Sequence, residues 1–189
     1  METSFFMPTQ VRMGRNVVQE SGALLAGLGK RAMLVTGRSS AVKCGAQADV
    51  TAALEKNGQT WVVFDQVMSN PTVDCVYAGA DLARREGVDF LIAIGGGSPM
   101  DAAKAIALLA RQDIAAEDLF QGGFTGDVLP MVHIPTTAGT GSEVTPYAIL
   151  TNDAAQTKTS LSGPMLFSSL ALLDGKYMLR LGHRTTAHT

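Results

Sequence analysis

Two segments of the chain hold residue types that could do chemistry. The first is IGGGSPMDAAKAIA at 94–107, where an apolar run leads straight into Gly95, Gly96 and Gly97 and then into small apolar residues at helical spacing. A strand that delivers glycines to the first turn of a helix can bind phosphate. Without a Cβ the backbone can approach an anion and take positive φ, while free amides and the helix dipole supply positive potential. Ser98 suits the cap of that helix, Pro99 its first position, and Asp101 the acid of a capping box. A tight strand-to-helix turn without a ligand would need one glycine but hardly three.

The second segment is HIPTTAGTGSEVTPY at 133–147. Thr136, Thr137, Thr140 and Ser142 can donate to phosphate or ribose oxygens, and Gly139 and Gly141 keep the backbone close to a ligand. Taken alone, such a segment is simply a loop. Beside the first motif, at the C-terminal ends of parallel strands where open α/β sheets bind ligands, it becomes part of a site. Neither segment is an ordinary nucleotide fingerprint. A GxGxxG motif would need glycine at Met100, and a Walker loop would need a glycine before Lys104 and a Ser or Thr after it.

The surrounding pattern supplies the elements that must hold these segments. From Arg31 onward short apolar runs alternate with longer amphipathic stretches, the signature of a parallel sheet covered by helices. Strands are expected at 32–36, 60–64, 88–94, 129–134, 144–151, 156–161 and 169–174, with a tight turn at Asn152-Asp153. Helices are expected at 42–57, closed by Gly58, at 73–85, ended by Gly87, and at 98–111. Before these, 10–13 reads as a strand and 17–28 as a helix. The run at 88–94 is nearly all apolar, as a strand buried on both faces requires.

Composition narrows the function. The 189 residues are 46% apolar, enough to bury a sizeable core, and no apolar run approaches the roughly 20 residues that cross a bilayer. The N-terminus METSFFMPTQ lacks the basic start and apolar centre of a secretory signal, so a cytoplasmic protein is expected. A net charge of −2 with interspersed signs argues against nucleic acid as a partner. Cys44 and Cys75 sit in no metal or redox motif and read as reduced thiols. His133 reads as a packed or rim histidine.

The paired motifs resemble those of the iron-containing alcohol dehydrogenase family, whose members look like GGGSxxDxAK followed by PTTAGTGSE. Asn70-Pro71-Thr72 and Leu173-Asp174 also match, so the resemblance covers essentially the whole chain. It implies an α/β fold, a Rossmann-like parallel sheet with flanking helices. Residues 1–174 would form the dinucleotide-binding domain and 175–189 the start of the connection to an all-helical metal-binding domain absent from this chain. Family members are longer, so the chain reads as a truncated one. In the family the metal is held by one Asp and three His beyond this point, and His183 and His188 are not expected to bind it.

Carried across residue by residue, the resemblance puts Gly95, Gly96, Gly97, Ser98 and Asp101 at the pyrophosphate and neighbouring ribose. Thr136, Thr137 and Thr140 would line the phosphate and nicotinamide side, with Ser142, Thr145 and Ile149 nearby. Lys158 would reach the nicotinamide ribose, and Asn70 the cofactor near its adenosine half. Many NAD-using relatives carry an acid where this chain has Gly37. Gly37 with Arg38, Ser39 and Ser40 offers room, a cation and hydroxyls to a 2′-phosphate, so NADP is expected, with NAD as the alternative.

The activity implied for the full-length protein is hydride transfer between a small alcohol or aldehyde and NADP or NAD, assisted by divalent iron or zinc. A homodimer contact through the N-terminal region is implied as well. This chain by itself would supply cofactor binding only. The alternatives are a catalytically inactive nucleotide-binding module and a glycerol-dehydrogenase-like or dehydroquinate-synthase-like relative.

Overall fold

A computed structural model describes residues 5–153 and 155–188 of the chain. Six parallel strands form one sheet in the order β1-β8-β5-β4-β2-β3. They are β1 (Gln10–Met13), β2 (Arg31–Thr36), β3 (Thr60–Phe64), β4 (Phe90–Gly95), β5 (Met131–Pro135) and β8 (Leu170–Leu173). The other two, β6 (Tyr147–Asn152) and β7 (Thr157–Ser162), pair antiparallel as a separate hairpin.

The strands bury both faces because their apolar residues alternate between two cores. Met33, Val35, Leu91 and Ala93 point to one side, where α5 (Val73–Arg85), α6 (Gly97–Leu109) and the hairpin pack. Ala32, Leu34, Phe90, Ile92 and Ile94 point to the other. There α1 (Val17–Glu20), α2 (Gly22–Ala26), α3 (Ser40–Lys43) and α4 (Ala46–Lys56) cover the sheet. This two-sided burial explains the unbroken apolar runs of β2 and β4.

The strand order fixes where a ligand can enter. The chain leaves β2 toward β3 at one edge, then returns to place β4 on the opposite side of β2. Helices leaving the C-terminal ends of β2 and β4 therefore diverge, and a cleft opens between them, as at the switch point of any doubly wound sheet.

Several expected boundaries shift for local reasons. The expected helix 42–57 is two helices, α3 and α4, because Gly45 between them adopts φ 86°. The expected helix 17–28 breaks at Ser21 into α1 and α2. The strand expected from 144 starts at Tyr147, since Ser142–Val144 closes into a 3-10 turn and Pro146 follows. The expected cap of α6 is also corrected. Its capping residue is Gly96, the helix begins at Gly97, and no side chain caps it. Ser98 and Pro99 are thus the second and third helical residues, and Asp101 uses its carboxylate elsewhere.

Candidate cofactor site

Gly37, Ser40, Gly96, Gly97, Ser98, Thr137 and Thr140 line one open groove of about 350 Å³ at the switch point. They come from four places in the chain: the exit of β2, the start of α6, and two turns of the loop after β5. Val67, Met68 and Ser69, from the segment after β3, complete the wall.

The glycines serve close packing rather than unusual dihedrals. A Cβ on Gly95 would fall 2.5 Å from the Pro99 ring. One on Gly96 would fall 3.2 Å from the Thr137 hydroxyl, and one on Gly97 3.3 Å from the Thr140 methyl. Positive φ is instead used in the facing loop, at Gly139 (135°) and Gly141 (65°), where it turns the chain back toward α6. Side chains at Gly96 and Gly97 would fill the space between the α6 turn and the threonine loop.

Thr137 Oγ1 is buried and has no hydrogen-bond partner among the described residues. A buried hydroxyl without a partner costs free energy, so one beside a glycine cradle is matched to an oxygen brought by a ligand. The residues therefore fit a phosphate group: backbone amides at the start of a thirteen-residue helix, no Cβ in the way, and a hydroxyl in need of a partner.

Asp101 and Ser142, expected at the ligand, are engaged with the protein itself. The Ser142 hydroxyl donates to Asp101 Oδ1 at 2.6 Å, and the backbone N–H of Ile149 donates to Oδ2 at 3.1 Å. Lys104, fully buried, donates to Ser142 Oγ at 2.9 Å and to the Tyr147 carbonyl at 2.6 Å. Burial lowers the Lys104 ammonium to about 8, and Asp101 and Glu143 hold it from falling further. Nearby His133 is fully buried, and no hydrogen bond reaches either ring nitrogen among the described residues. Burial pushes its pKa down to about 3, the Lys104 charge pushes the same way, and the Ser142 backbone opposes them less strongly.

The remaining expected residues do not line the groove. The Asn70 N–H donates to Ser98 Oγ at 3.3 Å, and the Asn70 carbonyl accepts from the Thr151 hydroxyl at 3.3 Å. Asn70 itself has φ 57°. Thr151 pairs across the hairpin with Lys158, and Ile149 with Ser160; alternation puts these residues on the outward face, with Lys158 and Ile149 exposed. Thr145 follows the 3-10 turn in extended backbone. Arg38 and Ser39 are exposed beside Gly37. Thr136 is buried and lines an adjoining recess with Ser39, Ser40, Lys43 and Arg180.

Sequence reasoning missed three basic residues here. Lys43 and Arg180 lie 137 positions apart and meet through an Arg180 hydrogen bond to the Lys43 carbonyl at 3.0 Å. Lys104 sits in an apolar helix, where a lysine ordinarily reaches out to solvent.

A further recess, of about 380 Å³, is lined by Asp74, Glu117 and Asp153 and lies at the start of α5. Its carboxylates would repel a pyrophosphate. Among the described residues no group of three or more His, Cys, Asp or Glu could hold a metal ion. The side chains of His183 and His188 lie outside the described residues. No described helix is long and apolar enough to cross a membrane.

Comparison with known proteins agrees with this geometry. The sequence profile described as "Iron-containing alcohol dehydrogenase" matches residues 8–175. An NAD-dependent methanol dehydrogenase of Bacillus methanolicus is 32% identical over 94% of this chain and 47% of its own length. The structure of an iron-containing alcohol dehydrogenase of Thermotoga maritima superimposes with a TM-score of 0.91 at 40% identity, covering 97% of this chain and 51% of that one. A sulfoacetaldehyde reductase of Bifidobacterium kashiwanohense, solved in complex with NAD+, gives 0.89 at 31% identity, covering 99% of this chain and 50% of that one. The chain thus spans about half the length of the relatives it matches. With a family profile matched over most of the chain and the fold shared with these solved structures, the chain belongs to the iron-containing alcohol dehydrogenase family.

Proposed function

We propose that this chain is the dinucleotide-binding half of an NAD(P)-dependent alcohol dehydrogenase that acts in the cytoplasm on a small alcohol or aldehyde. Residues 1–174 form the binding domain, and 175–189 open the connection to a helical domain. The observation that carries the reading is the cradle between Gly96, Gly97 and the threonine loop, with the unpartnered Thr137 hydroxyl beside it.

In this reading the pyrophosphate rests on the amides of Gly96, Gly97 and Ser98 and takes a hydrogen bond from Thr137. The adenosine end runs toward Gly37, Arg38, Ser39 and Ser40, where Lys43 and Arg180 add positive charge to receive a 2′-phosphate; Thr136 lines the same recess, so we assign it to this end and not to the nicotinamide side. The nicotinamide end runs toward Thr145, Ile149 and Lys158. Asn70 stands beside Ser98 and the hairpin, so we assign it to the pyrophosphate and not to the adenosine half.

When bound, the nicotinamide would accept hydride from an alcohol or give it to an aldehyde, and a divalent iron or zinc held outside this chain would supply the Lewis acid. The residues of this chain bind and orient the cofactor. A homodimer through the N-terminal region belongs to the same reading, supported by the edge strand β1, whose Val11 and Met13 are exposed.

Titration of the chain with NADPH and NADH, followed by nicotinamide fluorescence, tests this. NADPH is expected to bind more tightly. Gly97→Asp, which sets a carboxylate against the phosphates, is expected to abolish binding, and Gly37→Asp to shift preference toward NADH. Failure of the unaltered chain to bind either nucleotide contradicts the reading.

A further inference from the structure

The buried Lys104 and the partly buried Asp101 on α6 do not line the groove, yet they hold the end of the threonine loop and the first strand of the hairpin. Asp101 and Lys104 lie three residues apart, one helical turn beyond the glycine cradle, with Lys104 Nζ 3.7 Å from Asp101 Oδ1. Ser142 has a single hydroxyl proton, which it gives to Asp101, so its lone pair is free to accept from Lys104. That linkage holds the end of the threonine loop. Lys104 to the Tyr147 carbonyl and Asp101 to the Ile149 N–H hold the first strand of the hairpin.

Energy alone does not explain a fully buried lysine at this position. A charge pair removed from water is commonly no more stabilising than apolar side chains of the same volume. The hairpin already packs Ala148, Leu150 and Leu161 against the apolar face of α6. Such packing is non-directional and tolerates sliding. Two hydrogen bonds from fixed charges to the backbone of β6 do not: they set both the register and the height of the hairpin above the helix.

We infer that Asp101 and Lys104 are positioning residues that fix the Ile149–Lys158 face of the hairpin relative to the Gly96–Gly97 cradle, and so align the nicotinamide end of the cofactor with its pyrophosphate. The inference rests on the proposed dinucleotide reading of the groove. It assigns Asp101 to the alignment of the site, not to contact with the phosphates. It also explains why the two charges sit on the helix that begins at the cradle: a single rigid element then carries both the phosphate turn and the anchor for the far end of the ligand.

The test compares two ligands by calorimetry, NADPH and adenosine 2′,5′-bisphosphate, which carries the adenosine end without the nicotinamide. Lys104→Met keeps the volume and removes the charge. It is expected to weaken NADPH about tenfold while changing the bisphosphate less than about twofold, since only the far end of the ligand loses its alignment. Asp101→Asn is expected to give the same split and serves if Lys104→Met does not unfold cooperatively. Unchanged NADPH affinity in the folded variants overturns the inference, and so does equal weakening of both ligands, which would mean general loosening of the groove. If the unaltered chain binds the bisphosphate but not NADPH, the adenosine site survives and the alignment does not. If it binds neither, the dinucleotide reading itself falls, and the inference with it.

Discussion

His133 is the residue at which burial has the clearest consequence. Its imidazole is fully enclosed on β5 and faces the Lys104 charge, so it stays neutral in the folded protein until about pH 3. The unfolded chain, with an ordinary histidine, takes up a proton near pH 6.5. Between those values the unfolded state binds more protons, so this contribution to stability is complete above the ordinary pKa and is lost as pH falls toward the depressed one. Lowering the pH from about 7 to about 5 should therefore cost about 2 kcal/mol through this residue. His133→Leu removes the titration together with two unpartnered nitrogens. Urea unfolding at the two pH values should show a smaller acid loss in the variant, with stability near neutrality no lower than before. Equal acid losses in both proteins would mean that His133 is protonated or solvated in the fold. The sequence showed His133 as packed or at the rim. That it has no partner was not legible, because its neighbours Lys104 and Ser142 arrive from other elements.

At the scale of elements, α5 and α6 meet at Gly79. A Cβ there would lie 2.5 Å from Ile106 Cδ1, 2.9 Å from its Cγ1 and 3.2 Å from Phe64 Cε1. Alanine in place of glycine inside a helix normally gains up to about 1 kcal/mol. Overpacking a filled contact costs about 1–3 kcal/mol. Three close atoms on two side chains make the second effect the larger, so Gly79→Ala should destabilise the chain by about 1–2 kcal/mol in urea unfolding and leave NADPH affinity unchanged. A stabilised variant would show that the two helices can part at no cost.

The strands were largely legible, since alternation and buried runs such as VDFLIAI are set by the sheet itself. The start of α6 was misplaced because three adjacent glycines give no side-chain signal for which of them caps the helix. Gly45 was read through as part of one helix, although its φ of 86° divides α3 from α4. The buried role of Lys104 was invisible for another reason. A helix that carries small apolar residues on all its faces does not show in its sequence that its lysine is buried.

For the molecule as a whole, topology does what no local motif could. The order β1-β8-β5-β4-β2-β3 brings Gly37, Gly96 and Thr137, which are up to a hundred residues apart, to one rim of the sheet. The crossover between β2 and β4 is what brings these residues together. That same rim exposes Met13, Val42, Met68 and Leu179, apolar side chains at or beyond the C-terminal ends of the strands. The chain spans about half the length of its relatives.

Hydrogen exchange of the backbone amides reads whether the rim holds a dinucleotide with its phosphates on the glycine turn. On addition of NADPH, the amides of Gly96, Gly97, Ser98, Thr137 and Thr140 are expected to slow, with those of the hairpin slowing next. Slowing confined to the acidic recess around Asp74, Glu117 and Asp153, or no slowing at the glycine turn at a concentration that saturates binding, would contradict that placement of the phosphates.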